Sequence, residues 1–391
     1  MEESTSIQTL ISALMDESSP LPARLLYQLS DLSAMDAGTL RAAWASLPLT
    51  RRRNLLSDLV DLSEQDTLLM FREIGLISLT DPDDQVVVSA IDLLFEEEDR
   101  QLVPSLLSLL ASQSRSEAVR AAAANALGPY VLMGEVEKLP ASQLTEIEVG
   151  LLAAYRHDSS DLVRRRALES LGFSSHAEVP HLLRSAYASS DENWLESAMF
   201  AMGRSADEQW EPNILETLAH EDPAVRAQAC HAAGELGLQK ARASLIKALR
   251  QEKLSDIRQE IIWALGQIGG PGVQQALEKV MDESEDEDEI QLIEEALSEL
   301  EFAEGNPTFE LMDVPEPEEG HHHGSPEAST EPDSDEFEEE DSLFHRSARE
   351  DEEWQRYVSD DDDQEDEFAD DEYDDDDDFD WDDEFDDRED E

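Results

Sequence analysis

The sequence predicts an all-α fold: an α-solenoid of helical pairs with a disordered acidic C-terminal tail. Three observations predict it. The stretch Asp222 to Gly237, D-P-A-V-R-A-Q-A-C-H-A-A-G-E-L-G, recurs along the chain. Its Val225 is matched by Val86, Val119, Val163, Trp194, Ile257 and, more weakly, Glu289, at intervals of 33, 44, 31, 31, 32 and 32 residues. Every apolar pattern between residues 81 and 302 follows a period of 3.6, as helices do and strands do not. Composition then breaks near residue 305. Residues 306–391 hold 42 Asp and Glu against 4 Arg, a net of −38, whereas residues 1–305 hold 54 acidic against 24 basic residues, a net of −30.

Residues 1–80 read as helical but off the repeat pattern, with candidate helices at about 5–15, 22–33, 37–47, 51–61 and 64–79. Asp36, Thr50 and Ser63 offer caps, and Pro20, Pro22 and Pro48 offer breaks. An array of helical pairs must hide its last apolar face, so this segment is expected to act as a degenerate N-terminal cap.

Residues 81–304 are the array. Three positions ahead of each repeat's start stand Asp83, Ser116, Ser160, Asp191, Asp222 and Asp286, side chains that accept hydrogen bonds from the first turn of a helix. Leu254 is the exception, with Ser255 one residue late. In the most regular copy, Pro223 opens the helix, Val225, Ala229, Ala232, Ala233 and Leu236 form its apolar stripe, and Gly237 closes it. A second helix at about 240–250 carries Ala241, Leu245, Ala248 and Leu249. Two helices of this length cannot bury both stripes alone, which is why the unit repeats. The long interval between Val119 and Val163 places about a dozen extra residues around 128–142, containing Pro129, Gly134 and Pro140, and reads as a longer loop.

Residues 305–391 have too little apolar surface to offset the entropy of ordering and are expected to be disordered. Trp354, Tyr357, Phe368, Tyr373, Phe379, Trp381 and Phe385 are nevertheless spread among carboxylates such as Asp374, Asp375 and Asp376. Aromatics in that setting mark a candidate interaction segment that orders on a partner.

The repeats resemble HEAT repeats, in particular the short bacterial variety called PBS-lyase HEAT-like repeats. The resemblance rests on D-P-A-V-R-x-x-A-x-x-A-x-G-E-L-G at 222–237 and I-R-Q-E-I-I-W-A-L-G-Q-I-G at 257–269, with weaker copies at 119–128 and 163–172. It covers roughly 81–302 and implies an α-solenoid whose concave side is usually a protein-binding surface. Deoxyhypusine hydroxylase is similar and binds two irons through His-Glu pairs just after the V-R position. The matching pairs here are Ala121-Ala122, Arg165-Arg166, Ala227-Gln228 and Gln259-Glu260, and only Glu260 retains a ligand type, so that activity is rejected. Bilin lyases of phycobiliproteins are also similar, and a bilin-lyase-like enzyme or enzyme subunit is the alternative reading.

Other chemistry is sparse. Arg120, Arg164, Arg226 and Arg258 recur one step after the repeat's start and are expected to pair with carboxylates between repeats, such as Asp222 or Asp256, as a structural ladder. The lone Cys230 lies on an apolar side and reads as a small core residue. His321, His322 and His323 sit in a Gly/Pro/Ser segment and read as a solvated run rather than a metal site. No nucleophile–base constellation or phosphate-cradling glycine loop is present, and no cofactor is called for. The net charge of −68 disfavours nucleic acid and favours a basic protein partner. A small-molecule ligand is not expected. Salt adaptation is a further reading of the acidity, since Lys is scarce, 5 against 23 Arg. An acidic start and the lack of a membrane-length apolar run point to a cytoplasmic protein. The sequence reads best as a non-catalytic interaction scaffold that binds basic proteins, in its concrete form a chaperone-like shield for a positively charged client.

Overall fold

The computed structural model describes residues 7–303 other than Glu96. The tail residues named above, and the histidine run, lie outside the described residues.

The described residues form helices and no strand. In chain order these are α1 (Ile7–Met15), α2 (Ala34–Trp44), α3 (Leu49–Gln65), α4 (Arg72–Ser78), α5 (Asp84–Asp92), α6 (Val103–Leu110), α7 (Glu117–Asn125), α8 (Gly128–Glu135) and α9 (Ala141–His157). They continue as α10 (Asp161–Leu171), α11 (Val179–Tyr187), α12 (Glu192–Arg204), α13 (Glu211–Thr217), α14 (Pro223–Glu235), α15 (Arg242–Leu249), α16 (Ser255–Ile268), α17 (Val273–Glu283) and α18 (Glu287–Ala303). A first row runs α3–α5–α7–α10–α12–α14–α16–α18, each helix packed on the next. Helices α4, α6, α9, α11, α13, α15 and α17 each pack on the first-row helix that follows them. The fold is an α-solenoid of helical pairs.

Local chemistry sets the helix starts. Asp83, Ser116 and Asp222 accept the backbone N–H of Val86, Val119 and Val225, and Asp191 accepts that of Asn193. Ser160 does not cap with its side chain; Asp158, two residues earlier, accepts the Ser160 N–H instead. Ahead of α16, Glu252 takes the N–H groups of Lys253 and Leu254; Ser255 is the first residue of the helix, and Leu254 at the cap position offers no side-chain acceptor. Gly237 has φ +57°, a left-handed close to α14.

Close stacking in the first row needs small residues. A Cβ on Gly172 would stand 2.8 Å from Ala201 Cα, one on Gly203 2.9 Å from Ala232 Cα, and one on Gly234 2.9 Å from Ala264 Cα. On Gly266 it would stand 3.0 Å from Ala296 Cβ, and on Gly128 3.1 Å from Ser170 Oγ. These glycines recur nine residues after each repeat's start. They form a second ladder, and it lets helix backbones approach where any side chain would hold them apart.

Two expectations are corrected. The extra residues at 128–142 are not a loop: they form α8, which packs on α9 and α10. Pro129 sits in its first turn, where proline starts rather than breaks a helix, and Gly134 makes room for Leu144. In the N-terminal segment, 22–33 is two short 3₁₀ turns (Ala23–Leu25 and Tyr27–Leu29) rather than a helix, and 64–79 is split between the last residues of α3 and the shorter α4. Asp31 at φ +52° and its N–H bond to the Met70 carbonyl turn the chain, and Asp66 makes a local turn with the Leu68 N–H. Ser33, not Asp36, caps α2, and Asp36 accepts the Ser33 hydroxyl in return.

Candidate interaction face

The recurrent arginines tie neighbouring repeats together, and their acceptors are neither Asp222 nor Asp256. Arg120 is buried and binds both oxygens of Asp158, Nε to Oδ2 at 2.8 Å and Nη2 to Oδ1 at 2.9 Å. Arg226 reaches Glu252 at 3.1 Å and Arg258 reaches Glu289 at 2.6 Å. Each also donates to a carbonyl in the chain ahead of its own helix: Arg115, His220 and Leu249 respectively. Arg164 differs. It pairs with Asp161 on its own helix and lies 5.1 Å over the Trp194 ring, because Trp194 stands at the start position of the next repeat. Burial pushes the Asp158 carboxyl up, but hydrogen bonds from Arg120 and the Ser160 N–H outweigh it and leave it below the usual carboxylate range.

Sequence reasoning missed a further member, Arg52. It is buried, binds Asp81 at 2.8 Å and donates to the Leu47 carbonyl, five residues back. The Trp44 indole donates to the same Asp81 at 2.7 Å. The available signal was an arginine 35 residues before Val87, the corresponding step of the next repeat, obscured by the arginines on either side.

A shallow hollow of about 560 Å³ beside Pro82, Asp83, Asp84, Ser114 and Arg115 offers little chemistry. Arg53 and Arg115 already pair its two carboxylates.

The denser arrangement lies on one side of the first row. Positions three, six and ten after each repeat's start fall within about 60° of one another at 100° per residue. They form a grid: Arg166 and Glu169 on α10 with Phe173 in the turn after it; Ser197, Phe200 and Arg204 on α12; Gln228, His231 and Glu235 on α14; Glu260, Trp263 and Gln267 on α16. Glu169, Ser197, Phe200, Arg204, Gln228 and His231 are buried. Glu169 accepts Arg166 at 2.8 Å and the Ser197 hydroxyl at 2.6 Å. The Arg204 guanidinium lies 4.8 Å from the Phe173 ring centre and 3.9 Å from that of Phe200. The stack continues through Phe200, His231 and Trp263, with ring centres 6.5 and 4.3 Å apart and planes within 15°. His231 Nδ1 meets Glu260 Oε2 at 3.0 Å.

Burial sets the electrostatics here. It pushes the Glu196 carboxyl up to about 7, with Glu169 adding repulsion against the pull of Arg165 and Arg166. It pushes Glu235 up and brings Arg204 down to about 10. Cys230, next to this side, is fully packed, and burial raises its thiol.

The grid and the arginine ladder both run through the part of the chain that a known family matches. The HEAT repeats family matches residues 211–298. Residues 211–298 are HEAT repeats. They comprise α13 to most of α18 and contain Arg226, Arg258 and Asp222. No curated protein matches the sequence. Among solved structures, YibA of E. coli is similar at 15% identity, with 73% of this chain and 98% of that chain covered and a TM-score of 0.39. Human deoxyhypusine hydroxylase with glycerol is similar at 18% identity, covering 76% and 96%, with a TM-score of 0.31. Kap95p, solved with RanGDP, is similar at 10% identity, covering 75% of this chain and 45% of that one, with a TM-score of 0.38.

No helix among the described residues is long and apolar enough to cross a membrane.

Proposed function

We propose that this chain is a non-catalytic protein–protein interaction scaffold that binds basic protein partners through the solenoid face and the acidic-aromatic segment 305–391. In its concrete form it shields a positively charged client, as a chaperone does. The observation that carries the reading is the net charge of −68 on a chain built of stacked helical pairs, of which residues 1–305 carry −30 and residues 306–391 carry −38. Rows of packed helices hold surface side chains at fixed spacing, and this suits the recognition of an extended partner surface. The lone Cys230 fits a reducing compartment, and the cytoplasm is the proposed location. The arginine ladder, with Asp222 as a cap, is proposed to be structural. The interaction role falls to the acidic surface of the solenoid and to the tail aromatics.

Affinity capture with the full chain and with a chain lacking residues 306–391, followed by titration of each recovered partner at rising salt, tests this. Partners with a basic surface, bound more weakly by the shorter chain and more weakly as salt rises, support the reading. Recovered partners that are acidic, or whose binding is insensitive to salt, contradict it.

A further inference from the structure

Large apolar side chains that reach solvent gather in the N-terminal segment. Leu68 is 84% exposed, Met35 79%, Met70 53% and Tyr27 51%. All four stand on two stretches, 27–35 and 68–70, whose backbones are tied together. The Asp31 N–H donates to the Met70 carbonyl at 2.9 Å, and the Met70 N–H donates to Ser30 Oγ at 3.0 Å. Their neighbours Leu29 and Phe71 are buried, so both stretches are anchored in the core while these four side chains stay in solvent. A single exposed leucine is ordinary; exposed apolar groups on adjoining loops mark a surface that a partner covers.

The residue types suit an adaptable contact. Methionine is unbranched and polarizable, so it fits a partner's side chains in several arrangements, and tyrosine offers apolar area with a polar tip. The charge around them has one sign. Residues 27–36 and 66–71 contain Asp31, Asp36 and Asp66 and no Lys, Arg or His. Arg72, the next residue, already pairs with Glu73, Glu97 and Asp99. Apolar area within an acidic rim is complementary to apolar side chains flanked by lysine or arginine. A second copy of the chain would set the same carboxylates against each other. The segment 306–391 carries the same sign as the rim, and residues 1–6 hold Met1 as their one large apolar side chain.

We infer that the surface formed by Tyr27, Met35, Leu68 and Met70 is the docking site for a basic amphipathic segment of a partner protein, with its apolar side chains on these four and its lysines and arginines toward Asp31, Asp36 and Asp66. The inference rests on the proposed basic-partner reading and gives it a location at the N-terminal end of the helical array.

The test uses the full chain with carbon-13 at its methionine methyl groups and two fluorescein-labelled peptides of equal charge. One is a double repeat of Leu-Lys-Lys-Leu-Leu-Lys-Leu, amphipathic as a helix; the other has serine in place of every leucine. Met35→Leu and Met70→Leu assign the two resonances, and peptide anisotropy reports binding anywhere on the chain. The expected result is a saturating shift of Met35 and Met70 with the leucine peptide and none with the serine peptide at the same concentration, while the buried Met199 and Met202 stay in place. Tyr27→Ser with Leu68→Ser should raise the midpoint of that shift about tenfold. Val136→Ser with Val149→Ser, at exposed positions elsewhere, should not. Circular dichroism checks that each variant keeps its helix content, and Met35→Ser, followed at Met70, gives a second route should the double variant unfold. Rising anisotropy with Met35 and Met70 unmoved overturns the docking site and leaves the basic-partner reading standing. Equal weakening by both double variants, or an equal shift with the serine peptide, also overturns the site. Shifts of Met35 and Met70 that grow with chain concentration in the absence of peptide show that a second copy covers the surface and overturn the proposed occupant. No rise in anisotropy with either peptide overturns both.

Discussion

Gly234→Ala isolates the close packing on which the whole first row depends. The new Cβ would stand 2.9 Å from Ala264 Cα, and 2.5 and 3.0 Å from Cζ3 and Cε3 of Trp263. Carbon pairs are comfortable at about 3.5–4.0 Å, so α14 and α16 must part by roughly 0.6–1 Å there, or Trp263 must leave its stack on His231. Overpacking of this kind costs about 1–3 kcal/mol, against about 1 kcal/mol gained because alanine favours the helix over glycine. The net expectation is a loss of about 1 kcal/mol, rising to 2 if the indole cannot move. Gly38, midway along α2, is the control: nothing lies within 4 Å of its added Cβ, so Gly38→Ala keeps only the propensity gain. Urea unfolding followed by far-UV circular dichroism should move the midpoint down for Gly234→Ala and up for Gly38→Ala. If both substitutions raise the midpoint, the helices are not in contact at Gly234 and the glycine ladder has no packing role.

Three further outcomes follow from the same structure. Arg120→Ala strands the buried Asp158 carboxylate and should cost about 3–5 kcal/mol in urea unfolding, whereas Arg164→Ala, which breaks a pair open to solvent, should cost less than about 1 kcal/mol beyond its ring contact. The Glu196 carboxyl is raised from 4.5 to about 7 in the folded chain, so it favours folding fully below pH 4.5 and progressively less as pH rises to 7. Glu196→Gln should therefore match the parent at low pH and exceed it by up to roughly 3 kcal/mol at pH 8, as read from thermal unfolding across pH. Cys230 is 1% exposed with a raised thiol, so iodoacetamide should label it far more slowly in the native chain than in urea; equal rates would show that α14 is not packed at that position.

Much of the fold was legible because the repeat writes the same contacts several times. A cap, a start residue and an apolar stripe in phase define a first-row helix, and Asp222 and Val225 show all three. Where the repeat is interrupted, legibility falls. Pro129 and Gly134 looked like loop residues, yet a proline in the first turn and a glycine against Leu144 are compatible with α8. Asp36 looked like a cap because the reciprocal Ser33–Asp36 bonds are symmetric in sequence and not in space. The arginines were visible as a ladder, but their acceptors were not, since Asp158, Glu252 and Glu289 come from loops and starts at differing offsets. The grid was hidden for another reason. At position six the first-row helices α10 to α16 carry glutamate, phenylalanine, histidine and tryptophan in turn, so no one residue type marks it, and only the stacked helices reveal that Phe200, His231 and Trp263 form one column.

Hydrogen–deuterium exchange of the full chain with and without a basic partner recovered by affinity capture tests the interaction role most directly. The account predicts slower exchange in residues 27–36 and 66–71 and in residues 306–391 when the partner is present, weakening in both places as salt rises. Slower exchange confined to helices α10 to α16, or none anywhere in the chain, would contradict it.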